Sequence, residues 1–318
     1  MTLASQLAAE EVQGSPPDEG GPTATRHRPW RAELRRPSVV LSIAFLIVVI
    51  LMAVLAPVLT AISGSGPLEF HQDRVDAARG GIPIGPFGGI SPDHWFGVEP
   101  LNGRDLFARI VFGARVSLLI AVSAAMLTTL LGVVFGVLAG YVGGMVDQVI
   151  SRVMDFLMAF PALIFMIAVL SALPGGNREL LLIIVLSAFG WPSIARVVRS
   201  QAMSVASRDF VEAARAAGAT RIRIVFSEVL PNLAATIIVM GTLTVPTFIA
   251  TEAGLSFLGV GVQPPAPSWG QMVASAVPWY ASDPMFFVVP GTFLTLTVLS
   301  SLVLGDSLQR VLAKGAQG

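Results

Sequence analysis

EAARAAGATRIRIVFSEVLPN, residues 212–232, interrupts some of the most apolar sequence in the chain. Its first dozen residues carry Glu212, Arg215, Arg221 and Arg223, and near its end stands the pair Leu230-Pro231. Ser207, just upstream, is placed to cap a helix whose second position is Asp209, an acid at the positive end of the helix dipole. Phe210 to Ala217 continues that helix with alanines at 213, 214, 216 and 217. Gly218 is placed to stop it in a left-handed conformation. Thr220 can cap a second helix through Ile222, Ile224, Val225 and Phe226, ending where Pro231 begins the next apolar run. The expectation is two short helices jointed at Gly218–Ala219.

The sequence around this hairpin is that of an all-α integral membrane protein. Of 318 residues, 54% are hydrophobic and only 13% charged, and mean hydropathy is +0.75; soluble domains carry about 25% charged residues. A membrane-crossing helix needs roughly 20 apolar residues. Uncharged runs at 38–66, 116–146, 156–177, 229–251 and 284–305 meet that length. A sixth, Leu180–Ala195, is shorter and holds Pro192, but Val197 and Val198 extend it past Arg196. Six spans put both termini on one side, whereas five would separate them. With the N-terminus inside and six spans, 14 of the 20 Lys and Arg fall in inside segments. The outside segments then hold Arg74, Arg79, Arg104, Arg109, Arg115 and Arg178. This positive-inside bias favours six spans and two cytoplasmic termini.

Between the spans the chain divides simply. Residues 1–37, with GSPPDEGGPT, read as a disordered cytoplasmic tail. The first span (38–66) begins too late and runs too long for a cleavable signal peptide, so it is expected to be an uncleaved anchor. Residues 67–112 read as an irregular outer loop, and 113–313 as a core of five further spans. That core includes the hairpin loop at 204–231 and a Pro/Gly-rich segment at 252–283. Irregular backbone at a membrane is tolerated only under protein or water, so the latter is expected to pack at the outer mouth. There is no cysteine, and His27, His71 and His94 are too scattered to suggest a metal. Only Lys314 among the basic residues is a lysine, a bias that suggests a high-GC, bacterial genome.

On the arginine-rich side, adjacent alanines leave a smooth helix face that another backbone can approach closely. Such a face suits a groove on a second protein. A basic amphipathic loop also suits rest on anionic headgroups. The glycine joint has the spacing of a helix-turn-helix, but a hairpin tethered between two spans has no reach into a DNA groove, so no nucleic-acid partner is expected.

Glu212-Ala213-Ala214, then Gly218, then Leu230-Pro231 resembles the EAA loop of bacterial ABC importer permeases. HWFGVEPLNGRDLFARIVFGARVSL (94–118), GYVGGMVDQVISRVMDFLMAFPAL (140–163), TEAGLSFLGVGVQPPAPSWGQMV (251–273) and VLGDSLQRVL (303–312) narrow the likeness. They resemble the C-type permease of dipeptide, oligopeptide and nickel importers, in family order across 38–313. Two departures stand out: Glu228, where the family commonly has His, and a longer VEPLN at 98–102.

The resemblance implies a type I ABC importer permease fold in a bacterial cell membrane. It implies a coupling helix, Ser207–Gly218, seated in a cleft of a cytoplasmic ATPase. The coupling residues it marks are Ser207, Asp209, Phe210, Glu212, Ala213, Ala214, Ala217, Gly218, Leu230 and Pro231. The implied partners are a sister B-type permease, one or two cytoplasmic ABC ATPase subunits, an extracytoplasmic substrate-binding protein and a peptide, all within a lipid bilayer. ATP and Mg would be bound by the ATPase subunits and no cofactor by this chain. The sequence agrees in one respect, since it contains no P-loop pattern G-x-x-x-x-G-K-[ST]. Nor does GLSFLG (254–259) match a nucleophile elbow, so no catalytic site is expected. Arg115, Asp147, Asp155, Arg196 and Asp306 lie at or near span ends, and the spans read as almost free of interior charge. That speaks against an ion-coupled secondary transporter. Ser123, Thr128, Thr129, Gly132, Gly136 and Gly140, with Thr292, Thr295, Thr297 and Ser300, read as helix packing in preference to pore lining. Asp147–Ser151 and Arg152–Asp155 are expected to pair locally.

Overall fold

A computed structural model describes residue 33 and residues 35–315, so the reading of 1–37 as a tail falls almost wholly outside the described residues. The described chain is helical, with eleven helices that matter here. They are α1 (Pro37–Val54), α2 (Ala56–Ser63), α3 (Leu106–Val137), α4 (Gly144–Ala159), α5 (Ala162–Ala172) and α6 (Arg178–Ala206). There follow α7 (Asp209–Ala216), α8 (Arg221–Ile224), α9 (Leu230–Phe257), α10 (Trp269–Ala276) and α11 (Pro284–Gly315).

Five helical stretches are long and apolar enough to cross a membrane: α1, α3 with its continuation to Val142, α6, Arg221–Phe257 and α11. The sixth crossing is a bent pair, α4 with α5, at 86°. Phe160 before Pro161 turns extended there, because proline's ring disfavours helix in the residue ahead of it. The pair still carries the chain across. Asp147 at the start of α4 meets Arg199 near the end of α6. Leu170 near the end of α5 accepts a hydrogen bond from Arg178 at the start of α6 (2.9 Å). The shorter run at Leu180–Ala195 does extend past Arg196, since α6 runs unbroken for 29 residues through Pro192.

Helix α3 packs along α6 through small residues. A Cβ built on Gly132 would lie 2.7 Å from Ile194, one on Gly136 2.7 Å from Val198, and one on Gly140 2.5 Å from the Arg199 carbonyl. These glycines are therefore contact points between helices, as expected. At one end of the bundle the hairpin links α6 to α9. Glu33 accepts a hydrogen bond from Arg310 (2.7 Å), which places the start of α1 and the end of α11 on that same side.

The far end is built from 64–105 and 258–283, and two boundaries move. Helix α3 begins at Leu106, ahead of the expected 113, because the Asp105 carboxylate caps it by accepting from the Ala108 amide (2.6 Å). Helix α9 continues to Phe257, past 252. Residues 67–105 hold three single 3-10 turns and two two-residue strands, β1 (Val75–Asp76) paired antiparallel to β2 (Ile82–Pro83). Ion pairs do the rest. The fully buried Arg109 pairs with Glu99 and donates to the Gln271 side chain (3.0 Å), while Arg104 meets Glu99 at 2.7 Å. His94 and Asp105, both buried, meet at 2.8 Å.

Candidate functional site

The hairpin end carries most of the residues that the sequence marks. Helix α6 closes at Ser207, whose hydroxyl donates back to the Ser204 carbonyl (3.0 Å). Ser207 therefore does not cap α7. The N-cap is Arg208, in extended conformation and with no side-chain cap bond. The reason is local competition, since a serine that ends one helix satisfies its hydroxyl on that helix's own carbonyls. Asp209 and Glu212 occupy the first turn of α7 and Arg215 the last, which matches the dipole at both ends.

Val211 anchors α7. It is fully buried with Val198, Ala202, Ile224, Val229 and Leu233. Burying a valine is worth about 1.5–3 kcal/mol, enough to hold an eight-residue helix that would be marginal alone. Ser207, Asp209, Phe210, Glu212, Ala213, Ala217 and Gly218 are exposed, and Ala214 is half-buried. Helix α7 thus grips the bundle by one valine and presents its acids, alanines and Phe210 outward.

Its end is a Schellman closure. The Gly218 amide donates to Arg215 (3.1 Å) and the Ala219 amide to Ala214 (3.1 Å), with Gly218 at φ +81°. Nothing lies within 4 Å of a Cβ built on Gly218. Glycine is needed there for its conformation and not for space. Thr220 caps the next helix, accepting from the Arg223 amide (3.4 Å), as expected. That helix does not stop at Pro231. It passes through a π-turn at Val225–Val229 into α9, with Pro231 at the second position of α9. Leu230 is half-buried and Pro231 exposed, both beyond the hairpin tip. The second arm is therefore the direct extension of a membrane helix, continuous over Arg221–Phe257.

Two clefts flank the joint. One of about 300 Å³ is lined by Ala214, Ala217, Gly218, Arg223 and Glu228 among others. The second, of about 470 Å³, is lined by Tyr141, Arg215, Arg221 and Ile224 among others. Behind them Asp147 is held by two Arg199 contacts and by Ser151 (3.0 Å). Asp155 pairs with Arg196 (2.9 Å) instead of the expected Arg152.

Two features escaped the sequence reading. A cavity of about 800 Å³ between α5, α6 and α9 is lined by Ser193, Thr244, Thr247 and Thr251 among apolar residues. These threonines stand at i, i+3 and i+7, one face of a helix, and that spacing was the available signal. Each hydroxyl donates to its own i−4 carbonyl, leaving acceptor capacity toward the cavity. The second feature is Glu252, fully buried inside α9, which corrects the expectation of spans nearly free of charge. Ser117 donates to it (3.1 Å), as does Ser256 (2.7 Å), and Ser117 in turn accepts from the Trp269 amide (3.3 Å). This knot ties α3, α9 and α10 together at the far end. Its partners are hydroxyls, so it forms no chain of ionisable groups.

Residues 132–317 match the family described as the binding-protein-dependent transport system inner membrane component. The chain is 36% identical over 267 residues to the oligopeptide transport system permease protein OppC of Bacillus subtilis, covering 84% of this chain and 82% of that protein. It is also 36% identical over 289 residues to the glutathione transport system permease protein GsiD of Salmonella typhimurium, covering 91% of this chain and 90% of that protein. In structure it resembles a chain of the methionine ABC transporter MetNI in an inward-facing conformation. There the TM-score is 0.53 at 20% identity, over 64% of this chain and 96% of that one.

Proposed function

Because this chain belongs to the family of binding-protein-dependent transport system inner membrane components, we propose that it is the peptide-conducting permease subunit of an ATP-driven importer. It is a multi-pass membrane protein with the type I ABC importer permease fold. Its relatives are named for oligopeptides and for glutathione, itself a peptide, and the proposal takes peptides as the substrate class here too. The threonine-lined cavity supports it, since uncharged hydrogen-bonding groups suit a cargo recognised by its backbone.

The observation that carries the reading is the hairpin. An eight-residue helix held by Val211 presents Asp209, Phe210, Glu212 and Ala213 outward, and a helix continuous with membrane-crossing α9 leaves it. In the proposal, Ser207–Gly218 sits in a cleft of a cytoplasmic ABC ATPase subunit, with Leu230 and Pro231 where the second arm meets the span. ATP and Mg belong to the ATPases. A sister B-type permease completes the path, and a substrate-binding protein delivers cargo at the far end. Both termini and the hairpin are cytoplasmic. The Glu33–Arg310 pair and the arginine-rich hairpin side support that orientation.

The test is uptake of a labelled dipeptide into vesicles holding the assembled complex. ATP-dependent uptake is expected. Uptake of nickel and not of dipeptide would replace the substrate class, and uptake by this chain alone without ATP hydrolysis would overturn the importer reading.

A further inference from the structure

Arg115 stands apart from its neighbours on α3. Arg104 and Arg109 are both paired with Glu99. Arg115 is exposed and has no ion pair or side-chain hydrogen bond among the described residues. It stands nine residues into a membrane-crossing helix, where an ionisable side chain marks a function unless something satisfies it.

Its depth can be read from α1. That helix has 18 residues, about 27 Å long, close to the ~30 Å of a bilayer's hydrocarbon core. It ends at Val54, and Val54 and Arg115 line the same groove. Above Arg115, α3 is covered by protein from Leu106 to Ala114, with Phe112 alone not fully buried. Arg115 is therefore at the outer edge of the hydrocarbon, on the side away from the hairpin. Below it the groove continues between α1, α3, α9 and α11 as an apolar space of about 620 Å³, walled by Val49, Ile50, Leu118, Leu119 and Val122. Snorkelling alone would place the guanidinium among headgroups. It would leave the apolar space beneath it unfilled.

We propose that this groove is a phospholipid site, with one acyl chain lying along it and the headgroup phosphate held by Arg115. A guanidinium matches phosphate in a two-pronged geometry, and lysine would not. The bound lipid lies beside the direct packing of α1 on the core, where Val49 and Ala53 share a buried cluster with Ile110 and Ala114. The site is independent of what the protein transports.

Native mass spectrometry of the detergent-solubilised complex, with phosphatidylglycerol added and then competed with detergent, tests it. Wild type retains a lipid adduct. Arg115→Gln lowers that retention about fivefold. Leu119→Trp, which fills the groove and leaves the arginine, lowers it as well. Wild-type retention in both variants would overturn the site. So would a cross-link from Val122→Cys, in this cysteine-free chain, to the sister permease, because the groove would then hold a helix.

Discussion

The two ends of the bundle are built on opposite plans. At the far end one set of charged groups is enclosed. Arg109 is enclosed with Glu99 and Gln271, His94 with Asp105, and Glu252 with Ser117 and Ser256. At the hairpin end the charged side chains of α7 face outward, and a single buried valine fixes the helix. A buried ion network satisfies itself and holds one arrangement. An exposed helix on one anchor is a part that a partner can take hold of. Breaking the enclosed ion network should therefore act mainly on stability, and changing the outward face of the hairpin mainly on coupling.

The largest stability loss should come from Arg109→Ala. It leaves Glu99 enclosed with only Arg104, and breaking such a pair costs about 3–5 kcal/mol. Thermal unfolding of the purified protein in detergent should fall sharply, and an unchanged transition would show that the far end is not held by this network. Gly218→Ala should cost about 1–2 kcal/mol, confined to the hairpin, because alanine resists φ +81°. Asparagine tolerates that conformation better, so Gly218→Asn should recover most of the lost substrate-stimulated ATP turnover. Equal behaviour of the two variants would remove the left-handed joint from the account.

A smaller effect is expected at Asp283, outside the spans. Burial pushes its carboxyl above the ordinary carboxylate range, opposed by the Met285 and Phe286 amides at the start of α11. A raised native pKa means the contribution to stability is full at pH below the ordinary range and is lost as pH rises through the raised value. Asp283→Asn should therefore raise neutral-pH stability modestly and flatten that stretch of the pH profile. A loss of stability at pH 7 would mean the charge is needed. The smallest stability change, within about 0.5 kcal/mol, is expected from Glu212→Arg, which is exposed. Yet this variant should lose substrate stimulation of the ATPases, and full stimulation would detach Glu212 from coupling.

The hairpin was legible in the sequence because its signals are local. Gly218 needs φ > 0, Thr220 caps its own turn, and the charges follow the dipole. The misplaced cap at Ser207 was also local, a choice between two helices competing for one hydroxyl. The 86° bend at Phe160-Pro161 was written in the sequence but hidden inside an uninterrupted apolar run. The far end was not legible, because Arg109 finds Gln271 at 162 positions' distance and Ser117 finds Glu252 at 135. Glu252 lay at the edge of an apolar run and read as a loop residue until α9 carried it inside.

The most direct measurement of the central claim uses the absence of cysteine. A photo-cross-linker is attached at Ala213→Cys on the hairpin, and in a second preparation at Ala78→Cys on the exposed far end, in the complete complex. The expected result is a cross-link to the ATPase subunit from Ala213→Cys and none from Ala78→Cys. Capture of the ATPase from neither position, or equally from both, would contradict the hairpin as the contact between motor and membrane.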